Sequence, residues 1–160
     1  DGPHIIADFG LVDPDYLQQI VELTGIEAAQ VGPFFPLPDL PELSNCLVFQ
    51  EVIAEPQQKP EALEAFLQER AERVDFFVLD LSRNGLSWEQ IREGEPFSVA
   101  FLQHLCRTYS PYLDIPIQPE NLPGMLETIK PYGLNLKGGA EEKVGVKSFD
   151  DLDALLEGLQ

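Results

Sequence analysis

Six short runs of apolar or β-branched residues punctuate the chain, at His4–Phe9, Ala28–Val31, Cys46–Ala54, Asp75–Leu81, Tyr112–Ile117 and Gly133–Leu136. Each has the length of a strand and falls short of an ordinary helix. Between them the apolar residues change to helical spacing. Asp13 followed by Pro14 reads as an N-cap and first helical residue, after which Tyr16, Leu17, Ile20, Val21 and Leu23 share one face. Pro60 opens a second helix with Leu63, Phe66 and Leu67 as its buried stripe. Phe101, Leu102 and Leu105 mark a third within Phe97–Tyr109, and Pro119 starts a fourth that runs to Ile129. A last helix opens at Ser148 and turns Phe149, Leu152, Leu155 and Leu156 inward. The prolines of "GPFFPLPDLPELS" leave room for a short helix or none.

Strands alternating with helices predict βαβ units, an α/β class and a parallel sheet with helices packed over it. A dinucleotide-binding sheet needs G-x-G-x-x-G after its first strand, and Phe9–Gly10–Leu11 does not supply it. Six units are also too few to close an eight-stranded (β/α)₈ barrel.

Length and composition fit a single soluble domain: 160 residues, 44% hydrophobic and 24% charged. The net charge of −18 argues against nucleic acid and against an anionic membrane surface, both of which would repel it. Solubility is a simpler reading of that charge than an acidic docking surface. No apolar run reaches the ~18 residues of a spanning helix, and no signal peptide is visible. Cys46 and Cys106 lack C-x-x-C spacing and read as reduced, buried thiols of a cytoplasmic protein. His4 and His104 lack ligand spacing, so no metal site is expected, and nothing in the chain calls for a cofactor. Ser82 and Ser87 lie outside any G-x-S-x-G, which removes a hydrolase triad. Trp88 reads as core packing, with pocket lining as the alternative.

Candidate chemistry lies where strands end. In "YGLNLKGGAEEKVGVKSFDD" (Tyr132–Asp151) a strand meets Gly138 and Gly139, then Ala140 and Glu141, before the last helix begins. Glycines let backbone N–H groups approach an oxyanion, and a helix N-terminus favours it, so the segment is a candidate anion cradle. A plain tight turn remains the alternative. Asp8, Asp80 and Asp114 each close an apolar run, so all three are placed to rim one mouth of the sheet. Together they would favour a cation or an amine; as separate loop caps they would simply face water.

Several motifs, in order, resemble the phosphoribosylanthranilate isomerase family, (β/α)₈-barrel enzymes of tryptophan biosynthesis. The stretch from Gly133 to Ser148 is similar to the family's final G-[IL]-D-[LV]-[SN]-S-G-V-E-x-x-x-G-x-K-D. "QPENL" (Gln118–Leu122) resembles its x-P-E-N-V, "VDFFVLD" (Val74–Asp80) its sixth strand, and "GIEAAQVG" (Gly25–Gly32) its G-x-D-x-V-Q-L-H-G. The resemblance aligns this chain to strands three through eight. It implies a (β/α)₈-barrel-like fold of parallel strands with outer helices, an incomplete barrel lacking the first two βα units. It also implies an Amadori rearrangement of a small phosphorylated substrate, without cofactor. Asp80 would be the general acid and Gly138, Gly139 and Ala140 the phosphate cradle, to which Lys137, not the family's residue at its position, would add charge. The chain departs from the family where Pro116 replaces strand-seven glycines and where Gly32 replaces a histidine. No K-[VI]-C-G segment, which carries the family's catalytic cysteine, occurs in these residues. They are therefore expected to lack turnover by themselves. Two other readings stay open: a non-catalytic barrel that binds a small molecule or protein, and an acidic cation-binding pocket on Asp8, Asp80 and Asp114.

Overall fold

Each predicted apolar run holds a strand in the computed structural model, which describes residues 3–137, 141–143, 146–147, 150–157 and 159. The strands are β1 (Ile6–Gly10), β2 (Ala28–Val31), β3 (Leu47–Ile53), β4 (Phe76–Asp80), β5 (Tyr112–Asp114) and β6 (Gly133–Leu134). They form one sheet in chain order, and every neighbouring pair is parallel. The sheet is open, with β1 and β6 at its edges, as expected for a barrel-like sheet that does not close.

The connecting helices are α1 (Pro14–Thr24), α2 (Pro60–Arg70), α3 (Trp88–Arg92), α4 (Val99–Tyr109), α5 (Leu122–Ile129) and α6 (Asp150–Glu157). Asp13 caps α1 by accepting from the backbone N–H groups of Asp15 and Tyr16, which otherwise lack helical partners. The apolar face of α1 is narrower than its pattern implies: Leu17 and Val21 are buried, whereas Leu23 is 82% exposed.

Several boundaries differ from the sequence expectation for local reasons. β5 stops at Asp114 because Pro116, two residues on, has no N–H for the ladder. The proline-rich stretch makes only a 3₁₀ turn at Leu37–Asp39. A similar turn at Pro119–Asn121 leads into α5. Helix α3, which periodicity does not reveal in five residues, is set by a reciprocal cap between Ser87 and Gln90. It carries Trp88 and Ile91 into the core, where Trp88 is a packing residue. After β6 comes an antiparallel pair, β7 (Glu141–Lys143) with β8 (Val146–Lys147), where a loop was expected.

Strand alternation sorts the sheet into two faces. The outer face packs Val52, Phe77, Leu79 and Leu113 under helices that contribute Leu17, Leu63, Leu102 and Met125. The inner face carries a separate cluster of Ala28, Phe49 and Val78, against which Phe76 and Tyr112 pack. Its rings lie 5.1 Å (Phe49–Phe76), 5.7 Å (Phe76–Tyr112) and 5.4 Å (Tyr112–Tyr132) apart at their centroids.

Gly133 is what lets Tyr112 join this cluster, since a Cβ there would stand 2.6 Å from the ring. Gly133→Ala must push the ring aside. Overpacking of this kind costs ~1–3 kcal/mol, and a loss of about 1–2 kcal/mol is expected because the ring is only half-buried. Urea unfolding of the variant checks it; an unchanged midpoint would show that the ring moves freely.

Candidate active site at the carboxyl ends of the strands

Two residues beyond the inner aromatic cluster, along the same face, the sheet becomes polar. Phe49 is followed on that face by Glu51, Val78 by Asp80, and Tyr112 by Asp114. Parallel strands place all these carboxyl ends on one side, so three carboxylates from three adjacent strands converge. Asp80 and Asp114 are direct neighbours in register. Burying such a pair is costly unless cations and donors meet it.

Lys137 supplies the first cation. Its Nζ lies 3.0 Å from Asp80 Oδ2 and 2.7 Å from Asp114 Oδ2. The Asp80 side chain is 0% exposed and that of Lys137 55%, so the ammonium plugs a buried acidic floor from the solvent side. Arg83 supplies the second. Its backbone N–H donates to Asp80 Oδ1 at 2.9 Å, and its Nη2 donates to Glu51 Oε1 at 2.8 Å. Asp114 further accepts from the Ser82 hydroxyl and from Asn135 Nδ2 at 3.1 Å.

These contacts set the protonation states. Burial would push the Asp80 carboxyl up, but hydrogen bonds from the Arg83 backbone, Glu51 and Lys137 outweigh it and hold it below the usual aspartate range. Burial pushes Glu51 up, and its hydrogen bond with Asp80 adds to that, against the opposing charges of Arg83 and Lys137. Burial would lower Lys137, yet its bonds to Asp114 and Asp80 raise it. The contacts thus shift the two neighbouring carboxyls in opposite directions, Asp80 down and Glu51 up.

Among the sequence candidates, Asp80, Asp114 and Lys137 come together. Asp8 does not join them. It lies on edge strand β1, exposed, with β2 and β3 between it and Asp80, and accepts from the Gly10 N–H at 3.1 Å. Gly138, Gly139 and Ala140 lie outside the described residues. Sequence reasoning missed Glu51 and Arg83. Strand alternation held the signal for Glu51, a charge between Phe49 and Ile53 on one face. Among the described residues, no group of three or more His, Cys, Asp or Glu side chains is placed to hold a metal ion. Nor is any described helix long and apolar enough to cross a membrane.

Solved structures share this fold. Phosphoribosyl anthranilate isomerase from Thermus thermophilus is similar over 99% of this chain and 74% of its own, at 27% identity and a TM-score of 0.65. The chain is similar in fold to the phosphoribosylanthranilate isomerases. The isomerase from Pyrococcus furiosus shares the fold at 16% identity, a TM-score of 0.64, and coverage of 96% of this chain and 72% of its own. An isomerase solved in complex with reduced 1-(o-carboxyphenylamino)-1-deoxyribulose 5-phosphate does so at 18% identity and a TM-score of 0.63, over 96% of this chain and 69% of its own. No protein-family model matches the chain, and no curated protein does. The open six-stranded parallel sheet and its helices correspond to part of the (β/α)₈-barrel fold of those isomerases.

Proposed function

We propose that residues 1–160 are an isomerase-like barrel domain whose site serves the Amadori rearrangement of phosphoribosylanthranilate in the tryptophan pathway, in the cytoplasm and without a cofactor. The observation that carries the reading is the position of Asp80. It ends β4 on the inner face, its side chain wholly buried and oriented by Lys137 and the Arg83 backbone. An acid there gives its proton to the furanose ring oxygen as the C1–O bond breaks, with the bonding electrons passing to that oxygen. A base then removes the proton from C2, and the resemblance assigns it to a cysteine strand that these residues do not include. Lys137 has three N–H donors and spends two on Asp80 and Asp114, which leaves one for a substrate phosphate beside Gly138, Gly139 and Ala140.

A second reading, a non-catalytic barrel, is favoured by one specific observation: Asp80 accepts from the Arg83 N–H and from Lys137, contacts that favour its ionised form, whereas an acid needs a proton. The cation-binding reading is weakened because an internal ammonium already lies between Asp80 and Asp114. The test is complementation of a tryptophan auxotroph that lacks the isomerase, using the complete gene. Growth restored by the parent and lost with Asp80→Asn supports the enzyme. Failure of the well-expressed parent leaves the non-catalytic barrel.

A further inference from the structure

The site holds more carboxylates than cations. Glu51, Asp80 and Asp114 face Lys137 and Arg83 in one connected cluster, and a single additional proton makes it neutral. The donors show where that proton belongs. Asp80 accepts from the Arg83 N–H and from Lys137. Asp114 accepts from Ser82 and Asn135 and is paired with Lys137. Glu51 has one cationic donor, Arg83, and its side chain is only 14% exposed. On the β2 side no titratable group faces it, because Phe49 and Gln50 lie opposite Gln30 and Val31. Of the three carboxyls, Glu51 loses least by being neutral.

We propose that Glu51 carries the working proton of this site and hands it to Asp80. The inference rests on the isomerase reading above and names the group that readies Asp80 for acid chemistry. The O–H bond of Glu51 breaks as one forms on an Asp80 oxygen. That proton then leaves for the ring oxygen as the C1–O bond opens. Glu51 regains a proton from water across its narrow exposed edge. Arg83 keeps the two carboxyls aligned, its Nη2 on Glu51 at 2.8 Å and its Nε 3.8 Å from Asp80. The raised affinity of Glu51 for its proton agrees with its carrying it, and the depressed affinity of Asp80 makes the hand-over uphill, so Asp80 holds the proton only while passing it to the ring oxygen. Glu51 acts through Asp80 and does not itself touch the substrate.

Infrared spectroscopy of the purified chain tests the proton carrier with no need for turnover. As pH rises above the ordinary glutamate value of about 4.3, one protonated-carboxyl C=O band should outlast the others. Labelling glutamate carboxyls with carbon-13 in the unsubstituted chain should shift the band, and Glu51→Gln should abolish it. Absence of the band, or labelling that shifts it only with aspartate, overturns the proposal. In the complete enzyme Glu51→Gln should lower kcat by about 10²-fold, the low end of what general acid catalysis contributes. It should also move the alkaline limb of the pH–rate profile and leave KM nearly unchanged. An unaltered profile likewise overturns the proposal. A glutamate band in a protein that fails complementation would instead sink the isomerase reading and leave the proton carrier standing.

Discussion

Lys137→Met is expected to destabilise the chain by about 2–3 kcal/mol at neutral pH. Removing one partner from a wholly buried ion pair costs ~3–5 kcal/mol, because the other charge is stranded. Here two carboxylates are stranded, with side chains 0% and 6% exposed, but the lysine is 55% exposed and water takes over part of its role. Methionine keeps most of the side-chain length, so lost packing contributes little. Urea denaturation of parent and variant at neutral pH measures the difference, and equal midpoints would show that Lys137 is not holding the acidic floor.

The pH dependence of that difference is a sharper check. Asp80 is held below its ordinary range, so its contribution to stability is present above the unfolded aspartate value of about 3.9 and is lost as pH falls through the folded value. Lys137 is raised, so its contribution is present below the unfolded lysine value of about 10.4 and is lost as pH rises through the folded value. Without Lys137, Asp80 takes up its proton sooner on acidification. The gap between parent and variant should therefore be widest around neutrality and close as both states become protonated. Glu51 runs the other way. Its raised folded value favours the folded chain below about 4.3, and that contribution is lost as pH rises through the folded value.

The sheet was legible because each strand carries its own apolar run and each helix its own start signal. Asp13–Pro14 and Pro60 show this locally: cap chemistry and a fixed φ act over three or four residues. Helix α3 escaped notice because five residues give periodicity nothing to repeat. The extent of β5 was misjudged because Tyr112–Ile117 reads as one apolar run although Pro116 ends the ladder. At the site, Asp80 was legible from its place at a strand end. Its partners were not, because Glu51 and Lys137 lie 29 residues before and 57 residues after it in the chain, and only strand order brings them together. Asp8 shares the local pattern of Asp80 and Asp114 but stands on an edge strand. A strand-end aspartate gives the side of the sheet, while position within the sheet decides which neighbours it meets.

The purified 160-residue chain is expected to show no measurable conversion of phosphoribosylanthranilate. In the proposed reading Asp80 serves as the acid and Glu51 as its proton source, but the rearrangement also needs a base for the C2 proton. The resemblance places that base in a K-[VI]-C-G segment, which these residues do not contain. Loss of a general base typically costs ~10²–10⁴-fold in rate. The measurement is the fluorescence decay of anthranilate-linked substrate, with a family enzyme as positive control. Co-expression with a polypeptide that supplies the cysteine strand tests the cause: recovered turnover identifies the base as the missing group. Robust conversion by the 160 residues alone would instead mean that a carboxylate of the Glu51–Asp80–Asp114 cluster performs both proton transfers.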